Sequence, residues 1–183
     1  MKLLASIAIA YSALTLSPTF AADVMVGGQA MMPSKNIVAN AVNSADHTTL
    51  VAAVKAAGLV DTLQGKGPFT VFAPTNAAFN KLPPGTVDTL VKPENKATLT
   101  KILTYHVVAG KLDMMTLAEK IKAGGGKTEL TTVAGGKLWA TMNGPHNITI
   151  KDEKGDVADI TTYDVYQSNG VIQVIDKVLM PKS

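Results

Sequence analysis

The sequence has no cysteine, no arginine and few aromatic residues, which make up 5% of its 183 positions. The lack of cysteine excludes a disulfide scaffold and a cysteine-built zinc site. Because 46% of the residues are hydrophobic, the chain can bury a core without cross-links, and an intrinsically disordered protein is excluded. All 17 cationic side chains are lysines, which lack the planar fork that binds phosphates and guanines. The net charge of +3 therefore indicates solubility, and we expect no nucleic-acid partner.

Residues 1–22 have the pattern of a secretory signal peptide. Lys2 precedes a mainly apolar run from Leu3 to Leu16, and small residues stand where a signal peptidase would cut, after Ala21 or Ala22. The run is too short for a membrane-spanning helix, which needs about 20 apolar residues. No later stretch is long and apolar enough to serve as a transmembrane anchor. We therefore expect an exported protein that is periplasmic or secreted.

The remaining chain predicts one α+β domain after a short arm. Residues 23–33 have no hydrophobic period and predict an extended N-terminal arm, whereas residues 34–183 contain no internal repeat and predict a single domain. Helical spacing and capping residues predict helices at 34–42, 48–57, 59–64, 75–82, 86–90, 94–104 and 113–123. Runs bounded by turn residues predict strands at 69–72, 105–108, 128–133, 137–142, 147–151, 157–165 and 170–179. Helices thus dominate the N-terminal half and strands the C-terminal half.

The three histidines do not have the spacing of a metal site. His47 stands at a predicted helix start and His146 in a turn, where polar rings are common. His106 lies in an apolar run with Tyr105, and strand alternation would place the two side chains on opposite faces, one of them inward. His106 is therefore either a buried side chain with hydrogen-bond partners or a pH-sensitive, partner-contacting group. We favour the buried role.

Catalytic motifs are also missing. The sequence has no Gly-x-Ser-x-Gly elbow and no carboxylates paired in apolar surroundings. Residues 124–128, GGGKT, end like a phosphate-binding loop but follow a helix and precede a strand, which is the reverse of the required order. We therefore predict no catalytic residues, no metal and no cofactor.

Three blocks of sequence resemble the fasciclin domain family, and in particular its single-domain secreted bacterial members. GPFTVFAPTNAAF at 67–79 resembles the first family motif, and ILTYHVV at 102–108 resembles the tyrosine-histidine motif. SNGVIQVIDKVLMP at 168–181 resembles the closing strand. The resemblance covers the chain from about Asn36 to Pro181.

The resemblance implies a β-sandwich or wedge with a layer of short α-helices. It also implies a non-catalytic adhesion or protein-interaction module whose partner is a protein or glycan of a cell surface or matrix. An Asp-Ile pair linked to integrin contact in animal relatives corresponds to Asp164 and Val165, and the tyrosine-histidine motif to Tyr105 and His106. These four residues are the binding residues that the resemblance implies. The chain departs from the family pattern at 76–77, where Asn-Ala replaces Asp-Glu, and at Ala109, where a proline is usual.

Two other functions remain open. The chain could be a periplasmic protein that binds a small ligand or glycan in a cleft between helices and sheet, with Trp139 or Tyr105 as a stacking surface, although core packing of Trp139 is favoured. An enzyme would require a cleft in which His106 meets a carboxylate at hydrogen-bond distance.

Overall fold

The computed structural model describes residues 24–182. The predicted signal peptide, residues 1–22, and both of its possible cleavage positions lie outside this range. Within it, the helices are α1 (Ile37–Ala41), α2 (Thr48–Ala57), α3 (Val60–Gln64), α4 (Asn76–Asn80), α5 (Thr86–Leu90), α6 (Lys96–Tyr105) and α7 (Met114–Ala123). The strands are β1 (Val24–Val26), β2 (Gln29–Met31), β3 (Phe69–Pro74), β4 (Val107–Ala109), β5 (Lys127–Thr131), β6 (Lys137–Met142), β7 (Ile148–Lys151), β8 (Val157–Gln167) and β9 (Gly170–Ile175). The predicted α+β class is confirmed.

Side-chain caps fix the starts of three helices. Asn36, Thr75 and Asp113 each accept a hydrogen bond from the backbone N–H three residues later, at 2.8, 3.2 and 2.9 Å. Each cap satisfies an N–H group that has no partner within its own helix. Gly58, in the left-handed conformation, ends α2 as the sequence predicts.

One seven-stranded sheet has the strand order β4-β3-β9-β8-β7-β6-β5. The neighbours β3 and β9 are parallel, and the other neighbouring strands are antiparallel. The sheet curves until its two edges meet: Val108 forms a bridge with Thr132, and the Val133 N–H donates to the Val107 carbonyl at 2.7 Å. The pairing of β8 with β9 is irregular between Ile160 and Val165, and irregularities of this kind bend a strand.

Strands β3 and β9 separate two apolar cores. We call the cluster between these strands and the helices the helix-side core; it includes Leu50, Val54, Leu63, Val71 and Ile172. We call the cluster enclosed by the curved sheet and α7 the strand-side core; it includes Phe72, Leu117, Leu138, Ile148 and Ile150. Val71 and Phe72 are neighbours in β3 and enter different cores because side chains alternate along a strand. Both faces of β3 are therefore buried.

Within the segment predicted as an extended arm, 23–33, residues 24–31 form a hairpin of β1 and β2 that packs on the domain. Val26 and Met31 are buried in the helix-side core. The Asn40 amide fixes the end of the hairpin, because its Oδ1 accepts from the Met32 N–H at 3.1 Å and its Nδ2 donates to the Met32 carbonyl at 2.8 Å. The hairpin is therefore part of the packed structure rather than a loose arm.

Candidate functional site

Tyr105 and His106 lie at the end of a helix, not in a strand. Helix α6 continues through Tyr105, His106 is its C-cap residue, and β4 begins only at Val107. Their exposed fractions are 0% and 2%. The prediction that one of the two faces outward is therefore wrong, because strand alternation does not apply to helical residues.

The imidazole of His106 joins helix α6 to the C-terminal segment. Its Nδ1 lies 2.8 Å from the Ile102 carbonyl, and its Nε2 accepts from the Leu179 N–H at 2.9 Å. This pair of contacts requires the proton to be on Nδ1. Burial lowers the pKa of His106 to about 4, against the opposing effect of the Ile102 carbonyl, so the ring is neutral at pH 7.

The hydroxyl of Tyr105 joins two turns of the sheet. It donates to the Lys137 carbonyl at 2.6 Å and accepts from the Glu153 N–H at 3.0 Å. Burial raises the pKa of Tyr105 to about 12. A Cβ on Gly136 would lie only 2.6 Å from the ring carbon Cε2 of Tyr105. The ring is thus closely surrounded and has no face open to a partner.

Val165 and Asp164 also have packing roles. Val165 is 1% exposed and belongs to the helix-side core. Asp164 is half-buried and has a left-handed φ of 56°, an uncommon backbone conformation that Asp tolerates better than most residues. Its Oδ1 accepts from the Met114 N–H at 2.7 Å and from Gln173 Nε2 at 2.9 Å, and its own N–H donates to Gln173 Oε1 at 3.0 Å. Asp164 therefore attaches the first turn of α7 to the sheet.

The side chains that are open to solvent near Asp164 are different ones. We call them the α7 surface: Lys111, Asp113, Met115 and Tyr166. Met115 is 74% exposed and Tyr166 37%. Lys111 Nζ lies 4.4 Å from the centroid of the Tyr166 ring, and the Tyr166 hydroxyl lies 3.4 Å from Asp113 Oδ2. Hydrogen bonds from the Thr116 side chain and N–H lower the pKa of Asp113, which keeps this carboxylate ionised at neutral pH.

Sequence reasoning missed the α7 surface although periodicity contains a signal for it. Met115 falls outside the buried spacing of α7, where Leu117 and Ile121 point inward, and Tyr166 lies between buried Val165 and Gln167 on β8. Methionine and tyrosine are both enriched at protein-binding surfaces.

The stacking cleft considered from the sequence is not formed by Trp139 and Tyr105. Trp139 is half-buried, whereas its neighbours in β6, Leu138 and Ala140, are buried in the strand-side core. The expectation that Trp139 packs in the core is therefore wrong as well. Tyr105 is enclosed. Among residues 24–182, no group of three or more His, Asp or Glu side chains is arranged to hold a metal ion. No helix in the same range combines the length and apolar character needed to cross a bilayer.

The architecture defines a class first: a small α+β domain with most of its short helices packed on one face of a curved sheet and α7 on the other. Residues 45–181 match the model of the fasciclin domain family, and the chain belongs to that family. It is 45% identical over 161 residues to protein sll1483 of Synechocystis, covering 87% of this chain and 81% of the relative. It is 37% identical over 155 residues to the immunogenic protein MPB70 of Mycobacterium bovis, covering 82% and 71%.

A solved structure has the same fold. A FAS1 domain pair from the insect cell adhesion molecule Fasciclin I superposes with a TM-score of 0.71 at 19% sequence identity. The match covers 80% of this chain and 51% of that one, so this chain spans about half of the domain pair. The resemblance inferred from the three sequence blocks is confirmed.

Proposed function

We propose that the chain is a non-catalytic, exported module for adhesion or protein interaction. Its partner is a protein or glycan of a cell surface or matrix. Membership of the fasciclin family supports this proposal, as does the likeness to a domain pair from an adhesion molecule. The signal-peptide pattern of residues 1–22 supports export to the periplasm or the medium.

The α7 surface is the contact site in this proposal. The observation that carries it is the 74% exposure of Met115 in the first turn of α7, a helix start that Asp164 fixes to the sheet and whose cap residue Asp113 lies 3.4 Å from the Tyr166 hydroxyl. Preorganised apolar and aromatic side chains gain more binding free energy than mobile ones, because less conformational entropy is lost on association. Of the four residues implied by the resemblance, Asp164 acts here by positioning this surface. Tyr105, His106 and Val165 act through the core.

The hydrogen bonding of His106 supports a non-catalytic module over an enzyme. Both ring nitrogens are engaged by backbone groups, at 2.8 and 2.9 Å. A general base needs a nitrogen within hydrogen-bond reach of its substrate.

The proposal is tested by attachment of the purified exported protein to whole cells of the producing organism. Replacing both Met115 and Tyr166 by alanine removes the apolar part of the α7 surface and is expected to weaken attachment at least about tenfold. The matched control replaces Met25 and Val157, which are also exposed apolar residues, at 60% and 41%, but lie outside this surface. Equal attachment by the two double variants would contradict the assignment.

A small-ligand function is a second candidate because the helix-side core contains a cavity.

A further inference from the structure

An apolar cavity of about 70 Å³ lies in the helix-side core. It is bounded by α1, α2 and α3, by the β1–β2 hairpin, and by the inner faces of β3 and β9. Aliphatic side chains form most of its walls, among them Val26, Val54, Leu63, Val71 and Ile172. Protein interiors are close-packed, so an internal space of this size is uncommon and must either stay empty or hold a guest.

One buried polar atom at this cavity has no partner. His47 stands at the start of α2 as predicted, but its ring lines the cavity and is only 4% exposed, which the sequence did not indicate. Its Nδ1 lies 2.9 Å from Ser44 Oγ, but its Nε2 makes no hydrogen bond of normal length and angle with any of residues 24–182, although the Ala73 carbonyl is close enough to the ring to affect its pKa. Burial lowers the pKa of His47, although the nearby Ala73 carbonyl and the Asp46 charge oppose the shift, so the ring is neutral at pH 7. Native proteins rarely leave such a nitrogen unpaired.

The other buried or half-buried polar side chains at the cavity have partners, whereas Lys55 and Thr62, which also line it, are exposed to solvent. His106 uses both of its nitrogens, and Thr104 Oγ1 donates to the Thr100 carbonyl at 2.7 Å. The Ser44 hydroxyl is engaged by His47. A guest in the buried part of the cavity would therefore meet apolar walls and His47 Nε2, while Lys55 and Thr62 lie on the solvent-exposed side of the lining.

We propose that the helix-side cavity binds a thin, neutral aliphatic alcohol whose hydroxyl pairs with His47 Nε2. The walls suit an alkyl chain, and the neutral ring gives no ion pair to a carboxylate. The volume is about half of the roughly 150 Å³ known to admit benzene in an engineered cavity, which favours a narrow chain over a ring or a sugar. A hydroxyl can donate or accept, so it fits either tautomer of His47. This site is separate from the α7 surface and goes beyond the adhesion function.

The test uses the full-length chain exported from a bacterial host and labelled at its methyl groups. Straight-chain alcohols from methanol to butanol are titrated in, and methyl resonances are followed by NMR. We expect saturable shifts at Val54, Leu63 and Ile172 and none at Ile148 and Ile150, which serve as the internal control in the strand-side core. Each added methylene should tighten binding about fourfold until the chain outgrows the cavity. Shifts that do not saturate, or that are equal in both cores, would refute the cavity site.

Three variants and three probes of equal chain length, an alcohol, an alkane and an alkanoate, test the polar contact. His47→Phe keeps a ring but removes Nε2, and should weaken alcohol binding about tenfold while binding of the alkane of equal length is unchanged. His146→Phe, at an exposed turn residue, is the control and should bind like the wild type. Ala41→Leu, at a half-buried lining position, should abolish binding of both probes. If the wild type binds the alkane or the alkanoate as tightly as the alcohol, the role of His47 is refuted, whether or not His47→Phe folds.

Discussion

Lowering the pH should destabilise the protein through His106 before its carboxylates titrate. The ring is fully buried and neutral, with Nδ1–H donating to Ile102 and Nε2 accepting from the Leu179 N–H. Protonation would place a second N–H against the Leu179 N–H and a charge in the core. Unfolding exposes the ring to water, where its pKa returns to the usual 6.5 of a free imidazole side chain. The native state therefore binds fewer protons than the unfolded state between the two pKa values.

The magnitude follows from these two pKa values. A folded pKa of about 4 lies below the unfolded 6.5, so the stabilisation is complete above 6.5 and is lost as the pH falls towards 4. One-site linkage then predicts a loss of about 2 kcal/mol in the free energy of unfolding between about pH 7.5 and pH 5. The depressed pKa of His47 adds to this loss in the same direction. The lowered pKa values of Asp113, Glu153 and Asp176 act below about pH 4.5, outside this window.

The measurement is urea unfolding at four pH values across this window, on the wild type and on His106→Gln. Glutamine does not titrate, so the variant should lose about 2 kcal/mol less than the wild type over the same pH range. A parallel NMR titration of the His106 ring reports its pKa directly, even if the variant folds poorly. A wild-type stability that is flat from pH 7.5 to 5, or a His106 pKa above 6, would refute the reasoning.

Three substitutions, each measured by urea unfolding, test the contacts of Tyr105 and Asp164. Tyr105→Phe leaves two partly buried backbone groups, the Lys137 carbonyl and the Glu153 N–H, without their partner, and should lower the free energy of unfolding by about 1–3 kcal/mol. An unchanged stability would show that water replaces the hydroxyl. Gly136→Ala introduces a Cβ 2.6 Å from the Tyr105 ring and should cost about 1–3 kcal/mol, or nothing if the turn can shift freely. Asp164→Ala removes the acceptor of the Met114 N–H and places an alanine in the left-handed backbone conformation. Hydrogen exchange at the Met114 N–H should therefore accelerate, and the free energy of unfolding should fall by about 2–3 kcal/mol. Exchange at the wild-type rate would show that Asp164 does not fix α7.

Local patterns in the sequence were sufficient to predict most of the helices and strands. The predicted strand 137–142 coincides with β6, and Thr75 and Asp113 cap α4 and α7 as their residue types indicate. These features depend on turn residues and caps that lie next to the element they define. The three sequence blocks at 67–79, 102–108 and 168–181 were sufficient to identify the fasciclin family.

The features that the sequence did not predict depend on packing between residues that are far apart in the chain. Strand-like composition at Tyr105 did not reveal that α6 would continue through it, because the Tyr105 hydroxyl is held by Lys137 and Glu153, which lie far along the chain. His47 is buried because the helices close over it, which no local pattern reports. The α7 surface depends on contacts between residues about 50 positions apart, such as Met114 with Asp164.

The most direct test of the account compares binding per folded molecule for two kinds of variant. The central claim is that the α7 surface makes the contact and that the tyrosine-histidine motif acts only through folding. Cell attachment is measured at a temperature where circular dichroism shows every variant folded. We expect the Met115/Tyr166 double alanine variant to keep its stability and lose attachment, and the less stable Tyr105→Phe variant to attach like the wild type. Loss of attachment by folded Tyr105→Phe, with attachment kept by the double variant, would contradict the claim.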